Sequence, residues 1–122
     1  MIIQCKREEI GIIQIYTSTV ISYTKLKGNG LILKIFDCGS DKVELIFKSI
    51  LQIYETLLRY MECEEYNLIL TQYESYIITS ILKHYAKELN SHKLGRLYRK
   101  ILFKMEVNNG YKEDARSTKR IR

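Results

Sequence analysis

At 122 residues the chain has room for one hydrophobic core, and 46% hydrophobic with 28% charged residues exclude a wholly disordered polymer. No apolar run approaches the roughly 18–20 residues of a membrane span, and the opening MIIQCKREE is not ordered like a signal peptide, so the cytoplasm is the expected compartment and no membrane partner is expected. The formal charge of +6 is unevenly spread: residues 83–122 carry 12 Lys/Arg against 4 Asp/Glu, a net of +8, while residues 1–82 carry 8 against 10, a net of −2. Such a split points to a surface that meets something anionic.

The first third reads as strand. Residues 10–26 are dense in Ile, Val, Thr and Tyr, which fit a pleated surface and resist helix. Lys6-Arg7-Glu8-Glu9 separates this run from residues 1–5, and Gly28-Asn29-Gly30 is a turn signal before an apolar strand over 31–36. Three or four antiparallel strands are expected within 1–37.

The pattern changes at Cys38-Gly39-Ser40-Asp41. Asp41 and Glu44 form a capping-box pair, and a helix is expected over about 42–61. Its apolar residues cover more than half of the circumference, which predicts a central helix buried on several sides. A second capping box, Thr71 with Glu74, opens a helix over about 72–89. Asn90-Ser91-His92 breaks that helix, and a third follows over about 93–107, with Leu94, Leu97, Tyr98, Ile101, Leu102 and Met105 as its apolar stripe. Asn108-Asn109-Gly110 is the expected stop. The reading is therefore an α+β domain over residues 1–110: an N-terminal antiparallel sheet of three to four strands in 1–37, three α-helices in 42–107, and a basic, flexible, disordered tail over 111–122. The apolar girth of the first helix exceeds what such a sheet covers, so a homodimer is expected.

The candidate site follows from charge spacing. Lys93, Arg96, Lys100 and Lys104 recur at intervals of three and four along one helical strip, with Arg99 beside it. The tail adds Lys112, Arg116, Lys119, Arg120 and Arg122. A helix with one buried face and one cationic face suits phosphate binding, and a flexible basic arm adds long-range attraction. Ten tyrosines raise the prospect of base stacking. Tyr98 lies among Arg96, Arg99 and Lys100, yet Tyr54, Tyr73, Tyr85 and Tyr98 read first as core residues with hydroxyls at the rim. The two later helices read as an ordinary αα-hairpin rather than a helix-turn-helix, because the connection lacks the usual glycine.

Other chemistry is poorly represented. Cys5, Cys38 and Cys63 are odd in number and far apart, which fits free thiols better than disulfides or zinc. Glu62, Glu64 and Glu65 have no His or Asp near them in sequence, so they read as solvated, and His84 and His92 lack the spacing of a metal site. No GxSxG, P-loop, GxGxxG or HxE…CxxC pattern occurs. The expected function is a small non-enzymatic nucleic-acid-binding or regulatory protein without cofactor or metal. The alternative is a protein-binding inhibitor or adaptor whose basic surface docks an acidic partner. The abundance of Ile, Lys and Tyr, with no Pro or Trp, is the bias of AT-rich coding and is compatible with a phage, viral or other mobile-element origin.

Overall fold

The computed structural model describes residues 1–60 and 65–117. Among them are β1 (Ile2–Lys6), α1 (Arg7–Lys27), α2 (Gly30–Phe36), a 3-10 turn (Ser40–Lys42), α3 (Val43–Leu58), β2 (Glu65–Ile69), α4 (Gln72–Glu88) and α5 (His92–Ser117). The α+β character is present, but the proportions differ from expectation. Among the described residues the sheet has two strands instead of three or four, and there are five α-helices instead of three.

The largest correction concerns residues 10–26 and 31–36, which are helical and not strands. The buried residues of α1 are Ile10, Ile13, Thr17, Val20 and Ile21. Their spacing of three and four is the helical period, and core burial on that period outweighs the strand preference of β-branched residues. Threonine is accommodated because its hydroxyl bonds back one turn: Thr17 Oγ1 donates to the Ile13 carbonyl at 2.8 Å and Thr19 Oγ1 to that of Ile15 at 2.8 Å. Glu8 and Glu9 lie in the first turn and Lys25 and Lys27 in the last, each sign matched to the helix dipole. Gly28 caps α1 at φ 87°, so the glycine turn joins two helices rather than two strands.

β1 pairs instead with β2, antiparallel, with Ile2 opposite Ile69 and Lys6 opposite Glu65. Ile3, Cys5, Tyr66 and Leu68 point inward, while Ile2, Gln4, Asn67 and Ile69 face out. Lys6 ends β1 and also precedes the first turn of α1, so strand and helix join without a loop. Both described cysteines are free, Cys5 buried and Cys38 half-buried.

The helix expected over 42–61 is α3, and it is not central. It buries one face, Val43, Ile46, Ile50, Ile53 and Leu57, and leaves Leu45 and Leu58 exposed. Its start falls on Lys42 after the 3-10 turn, with no side-chain cap. The central position belongs to α4, which touches α1, α2, α3 and α5. Its capping box forms as expected: the Glu74 N–H donates to Thr71 Oγ1 at 3.0 Å, and the Thr71 N–H donates to Glu74 Oε1 at 2.8 Å. α5 starts with the Ser91 hydroxyl accepting from the Leu94 N–H at 3.2 Å and continues through Asn108-Asn109-Gly110 to Ser117. The flexible tail expected over 111–122 is thus helical as far as Ser117. Asn and Gly weaken a helix without removing an N–H or clashing, unlike proline.

Two glycines separate the helical reading of residues 7–27 from any other. A Cβ at Gly11 meets nothing within 4 Å, so Gly11→Ala is expected to stabilise the fold by about 0.5–1 kcal/mol. Gly28→Ala is expected to destabilise it by about 1–3 kcal/mol, because φ 87° with ψ −164° is a region kept for glycine. Urea denaturation of both variants checks the opposite signs.

Candidate nucleic-acid interface

α5 is held to the body by its apolar side. Leu94, Leu97 and Ile101 are buried, and Tyr98, Leu102 and Met105 are half-buried. The opposite side faces solvent. Arg96 and Arg99 are exposed there and Lys104 is exposed on the flank of the helix, and none of the three has an ion pair among the described residues. Lys112 and Arg116 lie further along α5, while Lys119, Arg120 and Arg122 lie outside the described residues.

Lys93 and Lys100 are placed differently. Both reach the acidic first turn of α1: Lys93 Nζ pairs with Glu8 Oε1, and Lys100 Nζ donates to Glu9 Oε1 at 2.8 Å. The same Glu9 oxygen accepts the Lys6 N–H at 2.8 Å. This is half of a capping box, since a lysine side chain has no acceptor with which to complete it. Glu9 therefore starts α1 and clasps α5 with one carboxylate. The Lys100 and Glu9 side chains are partly shielded, at 38% and 21% exposure. After solvent screening the pair contributes about 1 kcal/mol.

Around this clasp lies a cleft of about 350 Å³ lined by Lys6, Glu8, Glu9, Lys93, Arg96 and Lys100, with Ile12 and Leu97 as its apolar wall. The hydrogen bond from Lys93, and next its charge, hold the Glu8 carboxyl below the ordinary glutamate value. A carboxylate so stabilised is a weak base. Beneath Lys100 the Cys5 thiol is pushed up to about 11 by burial, against a smaller opposing pull from Lys100, so at neutral pH it is protonated and a poor nucleophile. What this arrangement can do is hold anions, and in the present state it holds two of the chain's own.

The tyrosine expectations resolve unevenly. Tyr98 is half-buried on the inner side of α5, so it does not stand exposed among the arginines. Tyr54 and Tyr85 are also half-buried, with the Tyr85 ring 4.8 Å from that of Tyr16, whereas Tyr73 is exposed and stacks on Tyr76 at 6.5 Å. Among the described side chains, the aromatic on the outer side of α5 is Phe103, 64% exposed. Sequence reasoning passed over it, although its place opposite the Leu94–Leu97–Ile101 stripe follows from the same 100° rotation per residue. Glu8 and Glu9 were likewise seen only as a break between strands.

Among the described residues no three His, Cys, Asp or Glu side chains gather as a metal site requires. Glu62 and Glu64 lie outside those residues, and Glu65 begins β2. His84 sits half-buried against Tyr85, and burial lowers its pKa. No described helix is long and apolar enough to cross a membrane. The chain matches no family model, and comparison with curated proteins and with solved structures finds no similar protein.

The Glu8–Lys93 pair has a definite pH signature. A carboxyl whose pKa is lowered on folding adds stability at neutral pH, and that contribution disappears as pH falls through the folded value. Carboxyl NMR titration is expected to put the Glu8 midpoint below the ordinary 4.5, and Lys93→Met to bring it back up. An unchanged midpoint in that variant would remove Lys93 as the cause.

Proposed function

We propose that this is a small nucleic-acid-binding or regulatory protein that acts without catalysis and uses the outer face of α5. The observation that carries this reading is the exposed set Arg96, Arg99 and Lys104, with no ion pair among the described residues, on a helix whose other face is anchored in the core. A cationic strip on a rigid helix meets a line of phosphates without having to order itself first. Lys93 and Lys100 extend the strip when Glu8 and Glu9 release them, and Lys112, Arg116, Lys119, Arg120 and Arg122 add positive charge beyond it.

Salt dependence of binding to a labelled oligonucleotide tests the reading. Three phosphate contacts imply an affinity loss of about 20- to 40-fold between 50 and 200 mM salt. The triple variant R96A/R99A/K104A is expected to lose most of that slope. The double variant E8Q/E9Q frees two lysines and is expected to bind more tightly with a steeper slope. No detectable binding to DNA or RNA at low salt overturns the reading.

A second reading is an inhibitor or adaptor docking an acidic partner protein. One observation favours it: Lys93 and Lys100 already pair with carboxylates, the group an acidic partner would present. A host pull-down with and without nuclease treatment separates the two, since a stoichiometric protein that survives nuclease supports the second. A homodimer remains part of the proposal, with the exposed Leu45 of α3 beside the exposed Tyr73 and Tyr76 as the apolar surface a second copy would cover. Light scattering on the eluting protein is expected to give twice the 14.5 kDa chain mass, and a monomer at high concentration removes this part.

A further inference from the structure

We propose that Phe103 is a stacking platform for one base of a single-stranded nucleic acid, with Arg96, Arg99 and Lys104 holding the adjoining phosphates. The inference rests on the nucleic-acid reading above and adds to it the strandedness of the ligand and the residue that reads it.

Phe103 is 64% exposed on the side of α5 opposite buried Ile101. Two positions along a helix is about 200° of rotation, so the ring is not an overspill of the core stripe. It makes no contact with another aromatic ring among the described residues, whereas Tyr16, Tyr73, Tyr76 and Tyr85 are each set against one. It also has no hydroxyl to satisfy in water. Its neighbours on the same face are cationic. Arg99 precedes it by one turn and Arg96 by two, while Lys104 stands about 100° round the helix on its flank. Val107 extends the apolar surface one turn further at 50% exposure, and Glu106 is the acidic group on this side.

That composition selects a ligand that is anionic and also offers a flat apolar face. Single-stranded nucleic acid has both on every nucleotide, and base–aromatic stacking beside a backbone-tracking basic groove is the general mode by which it is held. In a duplex the faces of the bases are already covered by their neighbours. A ring on a straight helix reaches a base face there only by unstacking it. Arg99, whose guanidinium lies back over Gly95, is placed to meet the phosphate beside the stacked base. The stacking group is thus distinct from the phosphate-holding groups, and the two are separable by mutation.

The test uses the full chain with a labelled single-stranded DNA of about 12 nucleotides, its RNA counterpart, and a duplex of the same length, a size within the usual single-strand sites. Anisotropy titrations run at about 50 and 200 mM salt. Wild type is expected to favour the single strands. Phe103→Ala is expected to weaken single-strand binding by about 5- to 150-fold with the salt slope unchanged. Phe103→Trp should restore binding, while Phe103→Leu, equally apolar but without a π face, should not. The DNA and RNA arms show whether the sugar matters, and either one binding in this manner supports the proposal. If Phe103→Ala and Phe103→Leu bind like wild type while R96A/R99A loses affinity, the stacking proposal falls and the phosphate reading stands. An equal effect of Phe103→Ala on single strands and duplex overturns the single-strand assignment. Absence of all nucleic-acid binding overturns both. A host protein whose capture depends on Phe103, when oligonucleotide binding does not, overturns the stacking proposal alone.

Discussion

The burial of α4 is the constraint on which the other elements depend. Ile77, Ile78, Ile81 and Leu82 are all essentially inaccessible, and Ser75 and Thr79 are buried beside them. These positions span more than half of the helix circumference, so no single layer could cover them. α1, α2, α3 and α5 each take a part. Burying two hydroxyls in such a place is tolerable only because each is satisfied within the helix. Ser75 Oγ donates to the Thr71 carbonyl at 2.9 Å and Thr79 Oγ1 to the Ser75 carbonyl at 2.8 Å. Removing a buried isoleucine of this set would cost about 2–5 kcal/mol, a large share of a typical domain's stability.

The surface chemistry follows from that packing. Because α5 lies on α4 with Leu94, Leu97 and Ile101 inward, rotation about its axis is fixed, and so is the direction in which Arg96, Arg99 and Phe103 point. Because α1 also packs on α4, its first turn comes to rest beside the near end of α5. The two carboxylates there divide the cationic residues into a neutralised group, Lys93 and Lys100, and an available one, Arg96, Arg99 and Lys104. The division is electrostatic and local. Charge counted along the sequence overstates what the folded surface offers to an anion.

What could be read from the sequence was mainly what is encoded within a few residues. The Thr71 cap, α4 and the start of α5 were legible because capping and the three-four spacing are local. Residues 10–26 were misread because Ile, Val and Thr were given their strand preference, while the Ile10–Ile13–Thr17–Val20–Ile21 spacing and the acid-first, base-last charges stood in the same segment. β2 carries a legible alternation, with Tyr66 and Leu68 inward and Asn67 outward, but its partner lies some sixty positions earlier and no local signal names it. The cationic strip was visible for the same reason as the helix that bears it. Its partial occupation was not, since Lys100 and Glu9 are 91 residues apart.

The pairing of β1 with β2 also has a consequence for how the chain is made. Nearly sixty residues separate Lys6 from Glu65. At ribosomal speeds that interval is about 3–12 seconds, whereas a helix forms within about a microsecond. α1 can therefore wind long before the strand that leads into it has anything to pair with. During that interval Ile3 and Cys5, both sealed in the finished protein, stay open to water and to other chains. The four charged residues 6–9 that follow, two basic and two acidic, flank that apolar strand as gatekeepers through their hydration, since their charges cancel.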